Sequence, residues 1–166
     1  MTASTKTLTT KTPATPKPAA AQDAIALLKA DHGTVSGLFE EYEKADSSKK
    51  RKALVAEICT ELSVHAQIEE EIFYPAVKAA LKDKLLVPEA TVEHASLKDL
   101  IAQIEGVEPD GELYAAKVKV LSEYVKHHVK EEQNEMFPKA KATSLDLAEL
   151  GVQMAARKTE LLAARA

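Results

Sequence analysis

The chain repeats itself. His65-Ala66-Gln67-Ile68-Glu69, followed by Pro75, returns as His128-Val129-Lys130-Glu131-Glu132, followed by Pro138, and each matched pair is 63 residues apart. Asp31-His32 returns as Glu93-His94 at a spacing of 62, so four of the five histidines belong to one duplication. Val35 and Phe39 follow His32 as Leu97 and Ile101 follow His94. In both halves the apolar residues recur at steps of three and four, the period of an α-helix with one buried face. A doubled pair of such helices buries its four stripes most simply as an antiparallel, up-down four-helix bundle.

The spacing predicts five helices in an all-α fold. The first runs from about residue 22 to 45, with Ile25, Leu28, His32, Val35 and Phe39 in line. The second runs from about 47 to 82 behind an Asp46-Ser47-Ser48 cap, with Leu54, Ile58, Leu62, His65, Glu69 and Ile72 on one face. Pro75 lacks an amide donor and should kink or locally break it after its glutamate-rich stretch. A third helix starts near Pro88 and ends at Gly106, before a Pro109-Asp110-Gly111 turn. The fourth spans about 112 to 140, with Leu121, Val125, His128, Glu132 and Met136 in line. A fifth, from Thr143-Ser144 onward, carries a narrower stripe of Leu147, Leu150, Met154 and Leu161 and should pack on the bundle or at a dimer interface. The expected organisation is therefore a tail over residues 1–21, a bundle over 22–142 and an added helix over 143–166.

Composition narrows the function. Residues 1–21 are rich in Thr, Lys, Pro and Ala without an acid, the make-up of a flexible tail. A formal charge of −4 with no basic stripe beyond that tail argues against a nucleic-acid partner. No apolar run approaches the roughly 18 residues of a membrane span, and without a secretory h-region a cytoplasmic location is expected. The single cysteine, Cys59, excludes an internal disulfide and falls in an apolar stretch as a small buried hydrophobe. Oligomeric state is not legible.

The chemistry lies in which helix face the polar residues occupy. His32, His65, Glu69, His94, His128 and Glu132 all fall on the apolar stripes. A lone histidine there is ordinarily a satisfied core residue. Here every stripe carries one, and two also carry a carboxylate, so burial demands compensation. Mutual hydrogen bonding offers part of it; a pair of divalent ions offers more, because each donor then faces positive charge. A His and a Glu at i and i+4 stand roughly 6 Å apart along the axis, close enough to share one ion or to bridge two. Imidazole with carboxylate suits iron first, then manganese or zinc, and no cysteine accompanies the histidines as in structural zinc sites. Glu70 and Glu71 turn toward a solvated acidic face in this reading, and His127 lies about a quarter-turn from His128, at the solvent edge. Asp31 and Glu93 either orient a histidine or face solvent.

At these residues, over roughly 23 to 140, the chain resembles the hemerythrin-like (HHE cation-binding) proteins of bacterial type. The two His-x-x-x-Glu motifs, the two preceding histidines and the Phe73-Tyr74-Pro75 and Phe137-Pro138 endings carry the likeness. The resemblance implies a bundle around a non-haem di-iron centre, with His32, His65, His94 and His128 as terminal ligands and Glu69 and Glu132 as bridges. Two departures from the oxygen carriers stand out. Lys98 occupies the place of a further histidine, and Glu132 closes the second motif at four residues where the carriers have an aspartate at five. One coordination position is thus left to water, substrate or another side chain, with Tyr124, Glu131 and Glu135 as candidates. Ferritin-like centres use Glu-x-x-His, which no helix pair here supplies. The function implied is binding of dioxygen or a related small ligand, peroxide or nitric oxide, at two Glu-bridged iron ions. The alternatives are a redox enzyme that disproportionates peroxide and an iron or oxygen sensor module; the sequence does not decide whether the protein is an enzyme.

Overall fold

Asp23 opens the first helix, α1 (Ala24–Lys44), by accepting the amide of Ala26 at 2.8 Å. Ser47 does the same for the second, accepting the amide of Lys50 at 3.3 Å. Each cap satisfies one of the amides that a helix start leaves unpaired. The computed structural model describes residues 22–107 and 111–166, so the tail at 1–21 and Pro109-Asp110 of the expected turn lie outside the described residues.

The second helix, α2, covers residues 48–80 in three parts: an α-helical stretch Ser48–Ile68, a π-helical turn Glu69–Phe73, and a last α-helical stretch Tyr74–Ala80. The expected break at Pro75 takes the form of this π turn. Proline offers no N–H and its ring collides with the carbonyl four residues back. The chain widens ahead of it, and the Tyr74 amide reaches the Glu69 carbonyl five residues away. After α3 (Leu86–Glu105), which has Pro88 in its first turn and Gly106 as its C-cap, the fourth helix repeats the device. Helix α4 covers residues 112–141, with Glu112–Glu131, a π turn Glu132–Met136 whose close is the Phe137 amide on the Glu132 carbonyl, and Phe137–Lys141.

Helix α5 (Leu147–Arg165) begins later than the Thr143-Ser144 expected. Thr143 hydrogen-bonds back to the Ala140 carbonyl at 2.6 Å and so finishes α4, leaving Asp146 to cap α5 through the Glu149 amide at 3.0 Å. Helices α1 with α2 and α3 with α4 form the two packed pairs, and α5 lies along α1 and α2. It approaches closely because Gly151 has no side chain: a Cβ there would stand 2.2 Å from the Gln22 carbonyl oxygen.

The described residues contain helices and no strand, packed as a helical bundle. Its core divides into two apolar clusters. One gathers Ile25, Leu28, Ile68, Phe73, Phe137 and Met154; the other gathers Val35, Ile58, Leu62, Leu97, Leu121 and Val125. Each such side chain contributes about 1.5–3 kcal/mol when fully buried. Eight buried polar residues accompany them among the described residues: four histidines, two glutamates, Asp31 and Ser122.

Candidate metal centre

The six residues singled out on the apolar stripes come together. His32 on α1, His65 and Glu69 on α2, His94 on α3, and His128 and Glu132 on α4 are all buried, Glu69 completely. They form two sets that share Glu69. One is His32, His65, Glu69 and Glu132; the other is Glu69, His94 and His128, and within each set one donor atom per residue lies within 4.8 Å of all the others. Glu69 presents Oε1 to His65 Nε2 at 3.3 Å and Oε2 to His94 Nε2 at 3.2 Å. A carboxylate divided in this way is placed to bridge.

Four buried atoms in the first set lack any hydrogen-bond partner: Nε2 of His32, Nε2 of His65, Oε1 of Glu69 and Oε2 of Glu132. They approach in pairs at 3.3 Å without the alignment of a hydrogen bond. An unsatisfied buried polar group costs about 1–3 kcal/mol, more when charged. Four of them converging on one point fit a cation there, since carboxylate oxygens and imidazole nitrogens freed of their protons each offer it a lone pair.

The outward nitrogens of the histidines are held as the inward ones require. Nδ1 of His128 donates to Glu93 Oε2 at 2.6 Å and Nδ1 of His65 to Asp31 Oδ2 at 3.3 Å. Nδ1 of His94 donates to Glu70 Oε1 at 3.0 Å. His32 Nδ1 lies 2.9 Å from the Gln133 side-chain amide nitrogen; a half-turn of the amide offers its oxygen instead. A proton on Nδ1 frees Nε2 to act as a ligand. The duplication extends to these partners. Asp31 and Glu93 each precede one histidine and hold the other histidine of the same helix pair, while Glu70 and Gln133 each follow a glutamate of the cluster.

The electrostatics agree with mutual pairing. Burial would pull His65 down, but the charge of Glu69, the hydrogen bond to Asp31 and the charge of Glu132 push it up to about 10. Burial opposes a charged Glu69, yet His65 and His94 hold its carboxyl well below the usual range. Glu93 is lowered, first by its bond from His128, and Asp31 is lowered against the pull of burial by His65 and Lys158.

Tyr74 is the residue that the sequence reading passed over. Its hydroxyl stands 3.0 Å from Glu132 Oε1, 3.1 Å from His94 Nε2, 3.3 Å from Glu69 Oε2 and 3.4 Å from His128 Nε2. It thereby joins the second set. Burial, with the nearby charges of Glu69 and Glu132, pushes its hydroxyl well above the usual tyrosine value. Five residues after Glu69 on an α-helix is roughly 140° away from it, off the buried stripe; the π turn brings the two onto one face. The signal available was the break in the repeat: 63 residues on, the counterpart is Phe137, whose ring stacks on His32 at 5.9 Å.

The candidates named for the open position stand elsewhere. Tyr124 is half exposed, Glu135 is exposed, and Glu131 pairs with the exposed His127 at 3.2 Å. Lys98 turns outward, its ammonium 2.6 and 2.7 Å from the two oxygens of Glu70. Glu70 is accordingly not a solvated side chain, because it lies between His94 and Lys98. Glu71 does face solvent, where Arg157 of α5 holds it at 2.7 Å.

An antiparallel bundle with histidines and carboxylates gathered in its core defines a class of cation-binding helical proteins. The chain belongs to the hemerythrin family: residues 23–140 match the Hemerythrin HHE cation binding domain. The crystal structure of a hemerythrin HHE cation binding domain-containing protein from Mycobacterium kansasii, a homolog of Rv2633c, superposes with a TM-score of 0.73 at 30% identity, covering 84% of this chain and 87% of that one. Rv2633c itself, from Mycobacterium tuberculosis (strain ATCC 25618 / H37Rv), is 29% identical over 143 residues, 84% of this chain and 87% of its own. A DNA nickase of Nostoc sp. (strain PCC 7120) is 28% identical over 111 residues; the match takes in 67% of this chain but only 31% of the nickase.

Proposed function

We propose that the cluster holds two iron ions bridged by Glu69 and Glu132 and that the protein binds dioxygen, peroxide or nitric oxide there. The observation that carries this reading is the set of four orphaned buried atoms on His32, His65, Glu69 and Glu132. In it His32 and His65 hold one ion, and His94, His128 and Tyr74 the other. A ferrous pair supplies electrons to a small ligand when bound. Everything else is the work of the chain. Asp31, Glu70 and Glu93 accept from the Nδ1–H groups of His65, His94 and His128, so these imidazoles stay oriented with Nε2 inward.

Beside the histidines lies a cavity of about 30 Å³, lined by His32, His65, His94 and His128 and walled by Val35, Leu62, Leu97 and Val125. Its volume admits one molecule of about the size of water. Its apolar wall excludes bulk water, and its small volume suits ligands of only a few atoms. Phe73, Tyr74 and Phe137 belong to the other apolar cluster, and none of them lines the cavity.

Adding dioxygen or nitric oxide to the anaerobic ferrous protein should produce a visible absorption band. A protein purified without iron that gives no band with either gas sinks the reading. One observation favours peroxide turnover as a second reading, namely the hydroxyl proton of Tyr74 held inside the cluster. Oxygen evolved from peroxide by the wild type and lost in Tyr74→Phe would carry it.

A further inference from the structure

Two surface grooves lead toward the buried cavity, and the duplication relates them. One runs along α2 and α3 past Ser63, Gln67, Glu70, Lys98 and Ile101, and shares Ser63, Lys98 and Ile101 with the cavity wall. The other runs along α1 and α4 past Ser36, Phe39, Lys126, Lys130 and Gln133, and shares His32, Val125 and Val129 with that wall. Position by position they correspond: Lys98 to Ser36, Ser63 to Lys126, Gln67 to Lys130, Glu70 to Gln133, Ile101 to Phe39.

The substitutions make the grooves differ in charge. In the first, Lys98 grips both oxygens of Glu70 across the gap, and Glu71, Glu105 and Arg165 complete a mixed lining of acids and bases in which Glu71 is itself held by Arg157. In the second, the place of the long lysine is taken by a serine and that of the glutamate by a neutral amide. Its lining holds two lysines and no acid. Among the described residues neither Lys126 nor Lys130 is ion-paired. The groove touches His32, at 8% the most exposed of the four cluster histidines. His32 belongs to the set that Tyr74 does not join.

We propose that the α1–α4 groove, with Ser36 at its mouth and Lys126 and Lys130 on its rim, is an entry and docking site for small monovalent anions bound for the His32 side of the cluster. This rests on the metal reading above. An unopposed pair of lysines raises the local concentration of an anion and so its association rate, while a neutral molecule feels only the width of the groove. The α2–α3 groove, whose acids are set against Lys98 and Arg165, offers the same anion no such attraction.

The test is stopped-flow binding of azide, and separately of nitric oxide, to the iron-loaded protein. In Lys126→Glu/Lys130→Glu the azide rate should fall about tenfold and lose its dependence on ionic strength, with the nitric oxide rate unchanged. Lys126→Gln/Lys130→Gln should fall between, and Ser36→Trp should slow both ligands. Ala102→Trp, which fills the α2–α3 groove at a position outside the cavity wall, should leave both rates as they are. Equal azide rates in wild type and the double charge reversal would overturn the inference, as would slower entry in Ala102→Trp with no effect of Ser36→Trp. Iron content and the azide band of the wild type report the metal reading separately. If both are absent, that reading falls and this one with it.

Discussion

At the scale of single residues, each cluster histidine has a different outer partner: Gln133 for His32, Asp31 for His65, Glu70 for His94, Glu93 for His128. Lys158 neutralises Asp31 at 2.5 Å and Lys98 neutralises Glu70, whereas Glu93 meets only the edge of His127 at 3.4 Å. The two halves of the duplication are therefore alike in position and unlike in charge. Tyr74 is the sharpest difference. Tyr74→Phe should retain iron but lose, in the ferric protein, the visible band that a phenolate ligand gives; identical spectra would remove Tyr74 from the ligand set. The pH dependence follows from His65. Its proton is held up to about 10 in the metal-free fold, so an ion must displace it, and affinity measured against a competing chelator should rise with pH over that range. The sign for stability is the reverse. A histidine raised above its usual 6.5 stabilises the metal-free fold fully below that pH and loses the contribution as pH climbs to about 10, so thermal melts of metal-free protein should fall between those limits. A flat profile would contradict this pairing.

At the scale of elements, the sequence exposes the helices because their stripes are regular, and exposes six cluster residues because they interrupt those stripes with polar groups. Tyr74 escapes the same logic, since a constant 3.6-residue period fails wherever the helix widens ahead of Pro75 and Pro138. Which way Asp31 and Glu93 point was equally hidden: it depends on how α1 meets α2 and α3 meets α4, not on either helix alone. The role of α5 was legible only as a further apolar stripe. The structure gives it a closer task, with Arg157 on Glu71 beside the π turn and Lys158 on Asp31 behind His65. Gly151 is what lets it approach α1. Gly151→Ala would press a methyl onto the backbone of residues 22–24, which cannot swing aside, so urea unfolding should show a loss of about 1–3 kcal/mol. An unchanged midpoint would mean that α5 is free to shift.

At the scale of the whole molecule, the cluster joins all four bundle helices across one core, so filling it should stabilise the entire fold. Removing metal with a chelator should lower the melting temperature, and returning iron should restore it. Cys59 gives an independent readout. It is fully buried, and burial, with the charge of Glu105, pushes its thiol up to about 12, so a thiol reagent at neutral pH should label it only as the bundle opens. Labelling should quicken on iron removal. Among the described residues no helix is long and apolar enough to cross a membrane. The most direct test of the central claim is iron per chain after anaerobic reconstitution, for the wild type, His65→Ala and Glu69→Ala. The account predicts two irons in the wild type, a lower content in His65→Ala and the greatest loss in Glu69→Ala, whose carboxylate serves both sets. Equal iron in all three proteins, or none in the wild type, would contradict it.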